Sequence, residues 1–232
     1  MIERDNIALN VDRVRNAVAD AARKTGRDPS EVTIVAVSKT MPFERVEAAY
    51  TAGLRHFGEN RVQEAEGKIG EKVLEGSTWH LIGHLQTNKA RSAASIFDVI
   101  QSVDSLRVAE ALSREATRID RRLDVFLEIN ISGEQTKFGM SAAESLELAP
   151  RIFALSNLRV HGLMTVAPHV DDPEDVRSLF REMRLLSDQI RKIVGSPEIW
   201  HLSMGMTNDY SVAIAEGATI VRIGRAIFGE RN

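Results

Sequence analysis

Lys39 follows the run Thr33-Ile34-Val35-Ala36-Val37 by one residue. The run is rich in β-branched side chains and comes after a Pro29-Ser30 turn signal, so a short buried strand is expected to end beside an amine. With the two-residue period of a strand, Thr33, Val35, Val37 and Lys39 share one face. An ammonium at the end of an apolar row is partly desolvated. That lowers its pKa and favours the neutral amine, which attacks carbonyl carbon. Taken alone, the segment reads as plainly as a solvated lysine on a loop.

A second chemical feature lies near the other end of the chain. Ser203-Met204-Gly205-Met206-Thr207-Asn208-Asp209 combines small residues with hydroxyls at both ends and runs into a helix start near Thr207-Asn208, which lets backbone amides approach an anion. Gly224-Arg225-Ala226 opens another helical turn directly after an apolar run, and its amides can point at the same anion. An amine able to form an imine and a phosphate cradle together suit a ligand bearing both an aldehyde and a phosphate. Pyridoxal 5′-phosphate (PLP) meets that description.

The elements that must position these groups follow from the patterning. Eight short apolar runs, near 33–37, 54–57, 79–82, 97–101, 123–130, 158–163, 198–202 and 219–223, alternate with helical stretches, and a further amphipathic helix at roughly 8–25 precedes them. Parallel strands need such crossovers, so the expected fold is a single-domain (β/α)8 TIM barrel over 1–232 with an extra N-terminal helix. One helix over 105–119 places Leu106, Ala109, Leu112, Ala116 and Ile119 on one stripe behind Asp104-Ser105. Another over 173–191 has Asp172 as cap, Pro173 in its first turn, and Val176, Leu179, Phe180, Met183, Leu186 and Ile190 facing inward. In the fifth strand Leu123, Val125, Leu127, Ile129 and Ile131 alternate with Asp124, Phe126, Glu128 and Asn130. The aliphatic face is expected against the helices, with Glu128 and Asn130 near the barrel mouth.

Barrel chemistry gathers at the C-terminal ends of strands, and there the sequence offers Lys39, Gly58-Glu59-Asn60, Gly83-His84-Leu85-Gln86, Ser102, Asn130, Met164-Thr165, the Ser203 loop and Gly224-Arg225. By contrast, Ser196-Pro197-Glu198 and Gly26-Arg27-Asp28-Pro29, which precede strands, are ordinary surface text. The 232 residues carry 43% hydrophobic side chains, net charge −3 and a pI near 6.1, so there is core enough for one barrel and no bulk attraction to nucleic acid or anionic membrane. No cysteine is present, which removes disulfides and thiolate metal sites. His80, His84, His161, His169 and His201 lack metal-ligand spacing, and no metal is expected. Met1 to Arg27 has no apolar stretch fit for a signal or membrane span, so a cytoplasmic protein is the default.

V-A-V-S-K at 35–39, H-F-G-E-N at 56–60, W-H-L-I-G-H-L-Q-T-N-K at 79–89, K-F-G-M at 137–140, H-G-L-M at 161–164, L-S-M-G-M-T-N-D at 202–209 and V-R-I-G-R-A-I-F-G at 221–229 resemble the PLP homeostasis proteins of the YggS/PROSC type. The resemblance runs in order from the first strand almost to the last residues. It implies that Lys39 holds the cofactor as a Schiff base and that Asn60 stands near it. Ser203 with the amides of Met204, Gly224 and Arg225 would bind the phosphate, and Arg222 would face the pyridine nitrogen. That last feature is shared with the alanine racemase barrel, whose R-x-G-x-A ending is similar to Arg222-Ile223-Gly224-Arg225-Ala226. Arg225 departs from the family, which is expected to carry a small residue such as Thr there. A salt bridge of Arg222 with Glu59 or Glu230 is the structural alternative.

Arginine donates but does not accept, so a pyridine nitrogen facing it stays unprotonated and the cofactor is a weaker electron sink. A racemase also needs an acid/base group on each substrate face. In the alanine racemases the second is a tyrosine supplied by a further domain and a partner subunit. The chain ends three residues after Gly229, and Tyr50 and Tyr210 fall in helical segments where packing is the ordinary use. The expected function is therefore a monomeric carrier that stores PLP or delivers it to apo-enzymes, without robust turnover. A PLP-dependent racemase-type enzyme is the alternative. A cofactor-free Schiff-base aldolase acting through Lys39 is a third reading. The methionines at 164, 204 and 206, Trp79, Trp200, Lys89, Lys137 and His84 read as packing, solvated or structurally bonded side chains.

Overall fold

The alternation of apolar runs with amphipathic helices leaves each strand one face to bury on helices and one to turn inward, and a closed parallel sheet satisfies both. The computed structural model describes residues 2–71, 73–195 and 201–229 and has this architecture. Strands β1 (Thr33–Val37), β2 (His56–Glu59), β3 (Thr78–Leu81), β4 (Val99–Val103), β5 (Leu123–Glu128), β6 (Leu158–Met164), β7 (His201–Ser203) and β8 (Ile220–Ile223) pair in parallel in chain order, and β8 returns to β1. Around them run α1 (Ile2–Lys24), α2 (Phe43–Thr51), α3 (Val62–Glu71), α4 (Ala90–Ile96), α5 (Leu106–Arg118), α6 (Ala142–Phe153), α7 (Arg177–Val194), α8 (Tyr210–Ala215) and α9 (Arg225–Phe228). The expected extra helix is α1, which packs across α2, α8 and α9 where the barrel closes.

Local signals act where they stand in the chain. Ser105 Oγ accepts from the Val108 amide at 3.3 Å and starts α5. Asp172 accepts from the Glu174 amide at 3.0 Å and opens a 3₁₀ turn, Pro173–Val176, that leads into α7. Phe180, Met183, Leu186 and Ile190 form the buried stripe of α7. Leu123, Val125 and Leu127 of β5, and Ile129 just past it, join the core between barrel and helices, whereas Phe126 joins Val35, Val99, Met164 and Ile220 in a separate apolar layer inside the barrel. Val35 lies in that layer, and Val37, two residues on, lines the C-terminal end of the barrel together with Lys39.

Several boundaries differ from expectation. β2 begins two residues later than the apolar run 54–57, because Leu54 packs on the outer core and Gly58 and Glu59 continue the pairing with β3. β4 likewise starts at Val99, since the Phe97 amide closes α4 on the Ala93 carbonyl. The register of β4 against β5 shifts between Ile100 and Val103. For the seventh strand only 201–203 is seen, and the expected start at 198–200, the Ser196-Pro197-Glu198 turn, Trp200 and Glu230 lie outside the described residues. Gly162 is indispensable to the closed sheet. A Cβ there would sit 1.8 Å from the His201 carbonyl oxygen, so β6 and β7 meet only because the side chain is missing. Among the described residues no helix is long and apolar enough to cross a membrane.

Candidate functional site

Lys39 leaves β1 in a four-residue turn closed by the Met41 amide on the Ser38 carbonyl at 3.0 Å. Beside it opens a cavity of about 180 Å³ at the C-terminal end of the barrel. Val37 and Lys39 form one wall, Met206 to Asp209 from the loop after β7 another, and Arg222, Gly224 and Arg225 from the end of β8 a third. Pro168, His169 and Val170, from the long connection after β6, complete the rim. Lys39, Gly224 and Arg225, singled out at strand ends far apart in the chain, thus meet in one place with Arg222, to which the family resemblance pointed.

Each wall has a local cause. Gly224 stands against Val37 where β8 ends beside β1, and a Cβ there would meet the Val37 side chain and carbonyl at an ordinary 3.4 Å. Gly205 has φ of 93°, and a Cβ would press within 2.6 Å of Ala213, so only glycine lets the loop fold tightly onto α8. Asp209 Oδ1 then accepts from the Met206 amide at 2.6 Å and locks that loop. Burial pushes the Asp209 carboxyl up, against the hydrogen bond from Met206 and the nearby Arg222 charge. At the start of α9 the amides of Arg225 and Ala226 precede any intrahelical acceptor and are suited to an anion. The exposed Arg225 guanidinium donates to Asn208 Oδ1 at 3.3 Å and bridges the two loops.

Arg222 forms the back of the cavity and is almost fully buried, 4% exposed. Three of its five N–H groups are used, Nη1 donating to the Ser203 carbonyl and Oγ, each at 2.7 Å, and Nη2 to the Thr165 carbonyl at 2.6 Å. Burial pulls its pKa down to about 10, while Glu128 and Asp209 pull it up, and the guanidinium stays charged at neutral pH. Glu128, facing it inside the barrel, is pushed up to about 7 by burial and by Asp104, with Arg222 opposing. The alternative salt bridge with Glu59 is not formed, because Glu59 pairs with Lys68.

Three expected contacts lie elsewhere. Ser203 is fully buried, and its hydroxyl points into the barrel, where it donates to Gln101 Oε1 at 2.6 Å while accepting from Arg222. The Met204 amide is spent on the Ile220 carbonyl at 3.1 Å, and its side chain is in the outer core. Both groups are thus engaged with neighbouring strands inside the barrel. Asn60 stands at the end of β2, next to β1 but outside the cavity wall, with Gly83 packed so closely on it that a Cβ would lie 2.3 Å from its carbonyl oxygen. Ser203 belongs to a hydrogen-bonded row through the barrel interior: His56 Nδ1 to His80 Nε2 at 3.0 Å, His80 Nδ1 to Gln101 Nε2 at 3.0 Å, then Ser203 and Arg222. Burial holds His80 down to about 3, so the row is neutral up to Arg222. Ser203→Ala leaves Gln101 Oε1 without a donor and should lower stability by about 1–3 kcal/mol, read by urea unfolding. A loss under a few tenths of that would mean the row is not structural.

Sequence reasoning passed over Gln101 in favour of its neighbour Ser102, and it set His169 aside with the scattered histidines. His84 is structural, bonded to Asp104 at 2.8 Å and stacked on Phe138 at 3.8 Å. Tyr50 donates to the Glu75 carbonyl at 2.7 Å on the outer face, and Tyr210 begins α8. Of the three methionines considered, only Met206 lines the cavity, and Met164 fills the inner layer. Among the described residues no cluster of three His, Asp or Glu side chains is placed to hold a metal.

Comparison with known proteins places this geometry. The alanine racemase N-terminal domain family matches residues 2–232. Pyridoxal phosphate homeostasis proteins of Aquifex aeolicus and Escherichia coli are 39% and 42% identical, each aligned over 98% of this chain and over 99% and 98% of their own. The solved structure of PipY from Synechococcus elongatus with PLP bound has a TM-score of 0.81 at 38% identity, covering 91% of this chain and all of that one. An alanine racemase of Clostridium difficile shares the fold at a TM-score of 0.76 and 17% identity, and this chain spans 57% of its length.

Proposed function

Because the chain belongs to the family of the alanine racemase N-terminal domain, and within it to the pyridoxal phosphate homeostasis proteins, we propose that it binds PLP in the cavity beside Lys39 and serves to store or deliver the cofactor. The observation that carries this reading is the meeting of Lys39, Arg222 and the first turn of α9 around one cavity. The donor set fits the cofactor: an amine at one wall, a buried cation at the back, and a rim of amides at Gly224 and Arg225. PLP supplies an aldehyde that a neutral amine holds reversibly as a Schiff base. Lys39 is the residue assigned to it.

Arg222 has N–H groups beyond those given to Ser203 and Thr165, and its assigned partner is the pyridine nitrogen. Because it donates and accepts nothing, it keeps that nitrogen unprotonated. The phosphate is assigned to the amides of Gly224, Arg225 and the loop before α8, with the Arg225 guanidinium at the rim taking the place of a hydroxyl. Asn60 borders the same end of the barrel from β2. Pyridoxal lacking the phosphate should bind far more weakly than PLP, since each charge-assisted hydrogen bond is worth roughly 1.5–3 kcal/mol. Equal affinity in a spectrophotometric titration would exclude the cradle.

The carrier reading draws on the same wall residues. Neither Tyr50 nor Tyr210 borders the cavity, and Arg222 makes the bound ring a poor acceptor of electrons. One observation favours the racemase-type alternative. His169, exposed on the rim, is a titratable group on a wall other than that of Lys39, as two-base chemistry requires. Incubation with L- and D-alanine or serine separates the two. A carrier passes PLP to an apo-enzyme and shows no racemisation above background, whereas turnover lost in both Lys39→Ala and His169→Ala would establish the enzyme.

A further inference from the structure

The turn that presents Lys39 is gripped from outside the cavity. Lys68 on α3 is buried, and its ammonium has an acceptor for each of its three N–H groups: the Ser38 carbonyl at 2.7 Å, Glu59 Oε1 at 2.9 Å and Glu64 Oε1 at 2.7 Å. Ser38 Oγ donates to the same Glu59 oxygen at 2.7 Å. Glu64 Oε1 also accepts from the backbone amide of Thr40. The residues immediately before and after Lys39 are therefore tied to one ion cluster, and only the Lys39 side chain is directed to the cavity wall.

Thr40 shows why such a grip is needed. Its φ is 64°, a left-handed backbone that a β-branched residue rarely adopts and that persists only where the surroundings enforce it. Glu64 supplies the enforcement, and it is ionised: although burial works against it, hydrogen bonds from Lys68 and the Thr40 amide draw its carboxyl down overall. The Glu64 and Lys68 spacing of four residues would form an ordinary helix-surface ion pair. Here the pair reaches off its helix to the end of β1.

We propose that Lys68, acting through Glu59 and Glu64, is a positioning residue that holds the 38–41 turn so that the Lys39 amine meets the aldehyde of PLP at the angle and distance for attack. The inference rests on the cofactor reading above. In that step the amine lone pair forms a C–N bond with the aldehyde carbon, and the carbonyl oxygen departs as water with the two amine protons. Misplacement of the attacking atom slows such a step steeply without altering how the rest of the ligand is held.

The test compares PLP with 4′-deoxypyridoxine 5′-phosphate, which keeps ring and phosphate and has no aldehyde. In Glu64→Ala and Lys68→Met, covalent capture of PLP should slow by roughly 10- to 100-fold while the deoxy compound binds within about twofold of the unaltered protein. Glu64→Gln, which keeps an oxygen for the Thr40 amide, should recover most of the rate. If Lys68→Met fails to fold, Glu64→Ala decides, since that side chain is partly exposed at 27%. An unchanged capture rate, or equal weakening of both ligands, would overturn the proposal. If the unaltered protein takes up neither compound, the cofactor reading fails. Acetylation of Lys39, followed by peptide mapping, then still reads the grip: release of the turn should speed it by about threefold or more in Glu64→Ala, and an unchanged rate overturns the proposal.

Discussion

Lys39→Ala should abolish covalent capture of PLP while leaving the barrel folded. The side chain projects from a turn at the mouth and is only half-buried, so its removal should change stability by less than about 1 kcal/mol. Borohydride reduction of the loaded protein, followed by peptide mapping, should find the cofactor on Lys39. Lys68 is enclosed by three acceptors, and Lys137 is engaged with Glu134 at 2.9 Å. Modification of Lys68, Lys89 or Lys137 with Lys39 untouched would defeat the assignment. The variant should keep some noncovalent affinity, because the amide rim and Arg222 remain in place.

Arg222→Met should strongly destabilise the folded state. It removes the donors to the Ser203 carbonyl and hydroxyl and to the Thr165 carbonyl, and it takes the positive charge from beside Glu128 and Asp209. Removing one member of a buried charged set typically costs about 3–5 kcal/mol. The deficit should depend on pH, with a sign that follows from the two carboxyls. Both already stand above their ordinary values in the folded protein, Glu128 at about 7, and losing Arg222 raises them further. A carboxyl raised on folding adds its penalty as pH climbs past its unfolded value and through its folded one. The variant should therefore lie closer to the unaltered protein at pH 5 than at pH 8 in urea unfolding. A gap independent of pH would mean that Glu128 and Asp209 do not sense Arg222. The variant should also retain PLP poorly, since the back wall of the cavity goes with the side chain.

Much of this arrangement is legible in the chain because it is governed by neighbours in sequence. The two-residue period from Thr33 to Val37 places Lys39 on the inward face, the alternation in β5 sends Phe126 inside and Leu127 outside, and Ser105 and Asp172 start their helices through amides two or three residues on. Those relations need no knowledge of the rest of the molecule. The order of the strands and the ends at which chemistry collects follow from chain chirality and crossover length, so Lys39, Gly224 and Arg225 are recognisable as companions before any contact is seen, and Arg222 joins them through the family resemblance.

What the tertiary structure alone decided are the partners of polar groups, since a buried donor takes whichever acceptor the fold brings within 3 Å, however distant in sequence. Ser203 reads as a phosphate ligand from its loop, yet it spends its hydroxyl on Gln101, 102 residues away, because both strands point those side chains into the barrel. Gln101 ends the apolar run 97–101 and Ser102 follows it in the sequence, so Ser102 draws the notice given to strand ends, yet β4 runs on to Val103 with a register shift past Ile100. The Met204 amide is claimed by the pairing of β7 with β8, and His169 reaches the rim on a connection with no periodicity to betray it. Glu64 and Lys68 stand four residues apart, the spacing of an ordinary helix-surface ion pair. Only the packing of α3 beside the end of β1 turns that pair into the support beneath Lys39.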